Sequence, residues 1–208
     1  MDGKIHAIVG AGTSIAVAQS TGQDAINTAV LMGAGIVASL VPDLDTGGKL
    51  ANKISLSYKM VQNLVRLIGI LAGLYAWFGL AGTEKYIGLA LGVFLLFIAP
   101  VFSQKLMLFI SGAAIIAGGV FISEIWVWLA GVYVAMAALV PHRSYTHSLI
   151  GWLFFGVIAY YINQDFAVQG LFWALVLAYG SHLLIDMQFL PGNKRGIKLF
   201  LPFSQKGV

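Results

Sequence analysis

Apolar residues run along this chain in unbroken stretches, without the strict alternation of a half-buried strand, and short groups of charged residues, glycine and proline separate them. Eight stretches are delimited in this way: 5 to 19, 25 to 41, 61 to 80, 86 to 102, 106 to 122, 125 to 140, 147 to 162 and 168 to 187. Several approach the ~20 residues that an α-helix needs to cross ~30 Å of hydrocarbon. A transmembrane barrel would alternate polar and apolar positions, and these stretches do not. The pattern therefore predicts an all-α fold, a polytopic membrane helical bundle of eight helices forming a single integral membrane domain over residues 1–208. The first stretch is short and holds Gly10, Gly12, Thr13 and Ser14, so it is expected either to span or to lie within the bundle or against the interface. No cleavage site follows the apolar start, and the whole chain is read as the mature protein.

Composition strengthens this reading. Hydrophobic residues make up 59% of the 208 residues, charged residues only 10%, and mean hydropathy is +0.88, which no soluble domain would tolerate. Glycine is frequent, with 25 residues, and in lipid small residues serve close helix approach, so packing accounts for most of them. The longest polar connection, 42 to 60, sets Lys49, Lys53 and Lys59 among Leu50, Ile54, Leu56 and Tyr58 and is expected to lie as an amphipathic segment on the membrane surface.

Charge then gives an orientation. If all eight stretches cross, the N-terminus, the 42 to 60 and 141 to 146 connections and the C-terminal tail share one face. That face collects Lys4, Lys49, Lys53, Lys59, Lys105, Arg143, Lys194, Arg195, Lys198 and Lys206, against Lys85 alone on the other. Positive residues in short loops are retained inside, so both termini are expected in the cytoplasm, as for a multi-pass protein of the inner membrane. The net charge of +4 needs no nucleic-acid partner, and anionic lipid head groups suit the same lysines.

The chain has no cysteine, so a transition-metal site must use His, Asp or Glu. All four histidines and three of the eight acids fall in four short places: His6, Asp43 and Asp45 in VPDLD, His142 and His147 in PHRSYTHS, and His182 and Asp186 in SHLLID. All four places lie on the predicted cytoplasmic face. The four-residue spacing of His182 and Asp186 puts both on one side of a helix. Asp43 and Asp45, two apart, point the same way if their segment is extended, with Pro42 ending the preceding helix. Ser144 or Thr146 is expected to cap the helix that follows His142 and His147. Taken singly, such residues cap helices or snorkel to water; as a set of seven they would be costly near lipid unless paired or coordinated. Seven donors exceed what one catalytic zinc takes, which points to two divalent ions, Zn, Mn, Fe or Mg, and to phosphoester hydrolysis. Arg143 either clamps a phosphate oxygen or anchors the topology.

HAIVGAG, PDLD, HRSYTHS and GSHLLIDM followed by GIKLFLP together resemble the YdjM family of LexA-regulated, membrane-bound metal-dependent hydrolases, over the whole chain. The resemblance implies that His6, Asp43, Asp45, His142, His147, His182 and Asp186 are metal ligands. The His and Asp content is also similar to that of zinc-dependent phospholipase C and related nucleases, which implies a phosphoester substrate. Family members often carry Gly in place of Ser144 and His in place of Thr46. The expected activity is hydrolysis of a phosphoester in a lipid or amphipathic molecule at the cytoplasmic leaflet. Two other functions use the same residues: a divalent-cation or proton transporter, and a scaffold whose motifs tie helix ends together through ion pairs.

Overall fold

Each of the eight apolar stretches folds as a helix, and hydroxyl and carboxylate side chains at the turns set where several of them start. The computed structural model describes residues 3–46, 49–188 and 196–208. Its α-helices are α1 (Gly3–Ser20), α2 (Ala25–Ala38), α3 (Lys49–Ile54), α4 (Tyr58–Gly79), α5 (Gly82–Ile98), α6 (Gln104–Phe121), α7 (Ile125–Leu139), α8 (Leu149–Asp165) and α9 (Leu171–Asp186), and no strand occurs among the described residues. Asp24, Ser57, Ser103 and Ser148 accept from the backbone of Asn27, Met60, Leu106 and Gly151, satisfying donors that a helix N-terminus leaves open. The cap of α8 is thus Ser148, in place of the expected Ser144 or Thr146, whose side chains are engaged elsewhere in the turn.

One local expectation is corrected. The 42 to 60 connection contains a helix of its own, α3, with Ala51 buried and Lys53 exposed, while PDLD takes a form other than the expected one. PDLD is not extended: α2 ends at Ala38, and Pro42–Asp45 forms a 3-10 turn. Proline's fixed φ and missing N–H suit the first position of such a turn, so Pro42 starts an element where it was expected only to end one. Tighter winding sends Asp43 and Asp45 in different directions. Lys194 and Arg195 of the basic face lie outside the described residues, as do Asp2 and the side chain of Lys49.

Four segments are long and apolar enough to cross a membrane: Ala25–Asp45, Tyr58–Gly79, Gly82–Val101 and Gln104–Phe121. The helices α7 and α9 are shorter and apolar. The fold is a membrane helical bundle with an uneven interior. The helices α1, α2 and α9 pack mutually, with α8 against α9, around Leu31, Ala174, Ala178, Tyr179 and Leu183. The α6–α7 hairpin joins them through α8 and the Pro42–Asp45 turn. Among the described residues, the α4–α5 hairpin packs chiefly on itself and on the 3-10 turn Ala99–Val101 that follows it.

Close approach of α1 and α2 sets the register of the inner group. A Cβ on Gly10 would lie 2.5 Å from that of Ser39, and one on Gly35 would overlap the Ser14 hydroxyl, so only glycine fits at the crossing. This seam brings the first turns of α1 beside the last turn of α2, where the polar residues gather.

Candidate metal centre

Four chain segments deliver their polar side chains to one place. His6 comes from α1, Asp43 and Asp45 from the turn after α2, His142, Arg143, Thr146 and His147 from the connection between α7 and α8, and His182 and Asp186 from the last turns of α9. His6, His147, His182 and Asp186 are all at most 2% exposed. Asp43, Arg143 and His142, with side chains 24%, 20% and 42% exposed, form the side open to solvent.

The innermost group consists of His147 Nε2, His182 Nε2, Asp43 Oδ1 and Asp186 Oδ2. The two nitrogens are 3.2 Å apart. His147 Nε2 lies 3.5 Å from Asp43 and 3.7 Å from Asp186, and His182 Nε2 lies 3.8 and 3.7 Å from the same oxygens. A cation held tetrahedrally at zinc–ligand lengths needs donors ~3.3 Å apart, so these spacings suit one shared ion.

Both rings are anchored at their far nitrogen. His182 Nδ1 is 2.7 Å from the Ser39 carbonyl, one of those a helix C-terminus leaves free. A carbonyl only accepts, so this Nδ1 carries the proton and Nε2 offers a lone pair. His147 Nδ1 is 3.0 Å from Thr146 Oγ1, and that hydroxyl is 2.6 Å from Asp45 Oδ2. Asp45 also faces His142 Nδ1 at 2.8 Å and accepts from the Arg143 backbone at 3.2 Å.

The other oxygen of Asp186 faces His6 Nε2 at 3.5 Å, and the His6 ring stacks on His182 with centroids 3.8 Å apart. Neither His6 nitrogen has a hydrogen-bond partner, although the residue is 1% exposed. Arg143 Nη2 reaches to 3.6 Å from Asp186 Oδ2. Its backbone is left-handed at φ 60°, a conformation that costs a non-glycine residue about 1–2 kcal/mol and that concentrates at functional sites.

The arrangement fits a divalent cation on two counts. His182 Nε2 offers its lone pair 3.2 Å from His147 Nε2, and two carboxylate oxygens aim at the same point, a set of nitrogen and oxygen donors that suits a divalent ion. The buried, unpartnered nitrogens of His6 are a further donor left for a ligand. The same demand for positive charge acts on His147: burial alone would lower its pKa, yet Asp43 and Asp45 hold it above the ordinary histidine value.

All seven predicted donors and Arg143 meet in this cluster. Asp45, His142 and His147 form an adjoining group that shares His147 with the innermost one. Thr146 and the Ser39 carbonyl, which hold the two rings, were not singled out for this task by sequence. The position of Thr146 directly before a clustered histidine is the one signal that marked it. The remaining described acids lie elsewhere; Asp24 caps α2, and Glu124 faces Asp165 between the far helix ends.

No curated protein and no solved structure matches this chain. A family model described as YdjM inner membrane protein matches it over residues 1–208. Since that match spans the whole chain, this membrane bundle with its polar cluster belongs to the YdjM family of inner membrane proteins.

Proposed function

We propose that this protein is a metal-dependent hydrolase that cleaves a phosphoester of a lipid or amphipathic substrate at the cytoplasmic leaflet. One observation carries the reading: two imidazole nitrogens and two carboxylate oxygens converge, beside a guanidinium, at helix ends. Asp43, His147, His182 and Asp186 would hold one ion. Asp186 has its second oxygen toward His6, and these two residues would contribute to holding a second. Zn, Mn, Fe or Mg would suit imidazole with carboxylate. Such ions, when bound, lower the pKa of water and stabilise charge on a transferred phosphoryl group.

The chain's own residues have separate tasks. Arg143 binds a phosphate oxygen, and its left-handed backbone aims the guanidinium at the cluster from the solvent side. Asp43 and His142 line the same opening. His142, half in water and fixed through Nδ1 to Asp45, exchanges a proton with solvent at its other nitrogen. The buried residues His6, His182 and Asp186 exclude water from the far side.

Placement favours hydrolysis over transport. Transporters bind their ions near the bilayer midplane on interrupted helices, whereas this cluster sits where α2 and α9 end and α1 begins. Basic residues concentrated at that end orient it toward the cytoplasm in a multi-pass topology. A site at the leaflet surface meets lipid phosphates directly.

The test is hydrolysis by purified protein of a panel of phospholipids and isoprenoid phosphates with Zn, Mn or Mg. Phosphate or head-group release is expected, with Arg143→Met reducing kcat by about 10²–10³-fold, as for loss of a transition-state donor. No release from any substrate, together with cation flux into liposomes that Asp43→Asn abolishes, would replace hydrolase with transporter.

A further inference from the structure

Thr146 lies between the two histidines of its turn, is 5% exposed, and has both capacities of its hydroxyl in use. The direction of each bond follows from chemistry. An ionised carboxylate accepts only, so the single hydroxyl proton goes to Asp45 Oδ2 at 2.6 Å. The Thr146 oxygen is then left to accept, and its partner at 3.0 Å is His147 Nδ1, which must carry a proton. A neutral ring with its proton on Nδ1 has a lone pair on Nε2, the atom that faces Asp43, His182 and Asp186.

Asp45 cannot do this directly. Its nearer oxygen is 3.6 Å from His147 Nδ1, beyond hydrogen-bond length, and both its oxygens are already held, Oδ1 by His142 and Oδ2 by Thr146 and the Arg143 backbone. Thr146 is itself pinned from the membrane side. Tyr179 donates its hydroxyl proton to the Thr146 carbonyl, so its own oxygen accepts from Tyr133 at 2.7 Å. Both phenols are buried, and the chain of bonds runs from α7 through α9 to the turn.

We infer that Thr146 is a positioning residue: it links His147 Nδ1–H to Asp45, fixes that tautomer and presents Nε2 to the cluster, so that Asp45 acts through Thr146. The consequence for metal affinity rests on the metal-centre reading; the tautomer stands without it. Partners of this kind orient ligands and raise their basicity, and their loss costs 10–100-fold in affinity.

Two measurements on the full-length protein in detergent test this. Ring ¹⁵N spectra of histidine-labelled, metal-free protein at a pH where histidine is neutral report the tautomer, with His147 assigned by its absence in His147→Gln. Zn²⁺ affinity is measured by competition with a chromophoric chelator. Wild type and Thr146→Ser should show the Nδ1–H form and equal affinity. Thr146→Val should move His147 toward Nε2–H and weaken Zn²⁺ by about 10–100-fold. Asp45→Asn should shift the tautomer in the same direction, and it decides the matter if the valine variant fails to fold. Thr146→Val with an unchanged tautomer and affinity would overturn the inference while leaving the metal reading intact. Wild type that shows the Nδ1–H form yet binds no Zn²⁺ would overturn the metal reading alone.

Discussion

The α4–α5 hairpin and the α1–α2–α9 group are built from similarly apolar sequence, yet they solve opposite problems. In the hairpin, Leu67, Leu71, Leu74, Phe78, Phe94 and Phe97 are exposed on several faces, and Gly69 and Gly92 let the two backbones touch. Where those glycines meet, the neighbours are Leu95, Leu96 and Gly73, and lipid is the solvent for the rest. In the inner group the same kind of glycine contact, Gly10 against Gly35, brings together helix ends carrying histidine and aspartate. Packing in the hairpin serves packing alone. Packing in the inner group aims side chains, and it buries charge that only a cation or a dense hydrogen-bond network makes tolerable.

The two regions should therefore fail differently. The largest effect is expected at Asp186, which faces His6, His147, His182 and Arg143 and is 2% exposed. Asp186→Ala should cost about 3–5 kcal/mol of stability, as for removing one partner of a buried charged set. Denaturation in detergent measures it, and a change below ~0.5 kcal/mol, the range of ordinary surface substitutions, would mean that the cluster is not coupled to the fold.

Chelation comes next. Ions held at a hundred times their Kd stabilise the folded state by about 2.7 kcal/mol, so removing them should lower Tm. Hydrogen exchange should rise at the start of α1, the Pro42–Asp45 turn, the 141–148 connection and the end of α9, with no change in α4 and α5. A uniform rise across all helices would erase the distinction between the regions.

Glycine substitutions sharpen it further. Gly35→Ala and Gly92→Ala each force a Cβ within 3.0 Å of backbone, at Gly10 O and Gly69 O respectively. Each should cost about 1–3 kcal/mol, as overpacking does. Only Gly35→Ala should also weaken Zn²⁺ binding, because it displaces the helix that carries His6 and the one that ends at Ser39. The smallest effect belongs to Lys85, whose ammonium lies 4.1 Å from the Trp77 ring centroid at the far end of the hairpin. Lys85→Met should cost no more than about 1 kcal/mol, read by the same denaturation, and should leave metal affinity untouched.

Much of this was legible in the sequence, for physical reasons that differ by element. Helices bathed in lipid must be long and apolar, so the runs that became α4, α5 and α6 stand out from composition alone. The convergence of His6, Asp43, His147 and Asp186 was legible because counting crossings places their segments at the same end. The 3-10 turn at Pro42–Asp45 was not, since Pro after a helix suits an ending as well as a new start, and the choice depends on distant packing against α7, α9 and the Tyr145–His147 turn. The hold of Ser39 on His182 was hidden for another reason. It uses a backbone carbonyl, which every residue has, and only the tight α1–α2–α9 packing decides which one meets a ring. Thr146 was visible, but a hydroxyl at the start of a helix reads first as a cap, and Ser148 took that place.

X-ray absorption on the Zn²⁺-loaded protein tests the metal centre most directly. At least one Zn²⁺ per chain is expected, with a first shell of nitrogen and oxygen only and outer-shell scattering from two or more imidazoles, lost together in a His147→Ala, His182→Ala double variant. Substoichiometric Zn²⁺ at saturating concentration, or an all-oxygen shell without imidazole scattering, would contradict it.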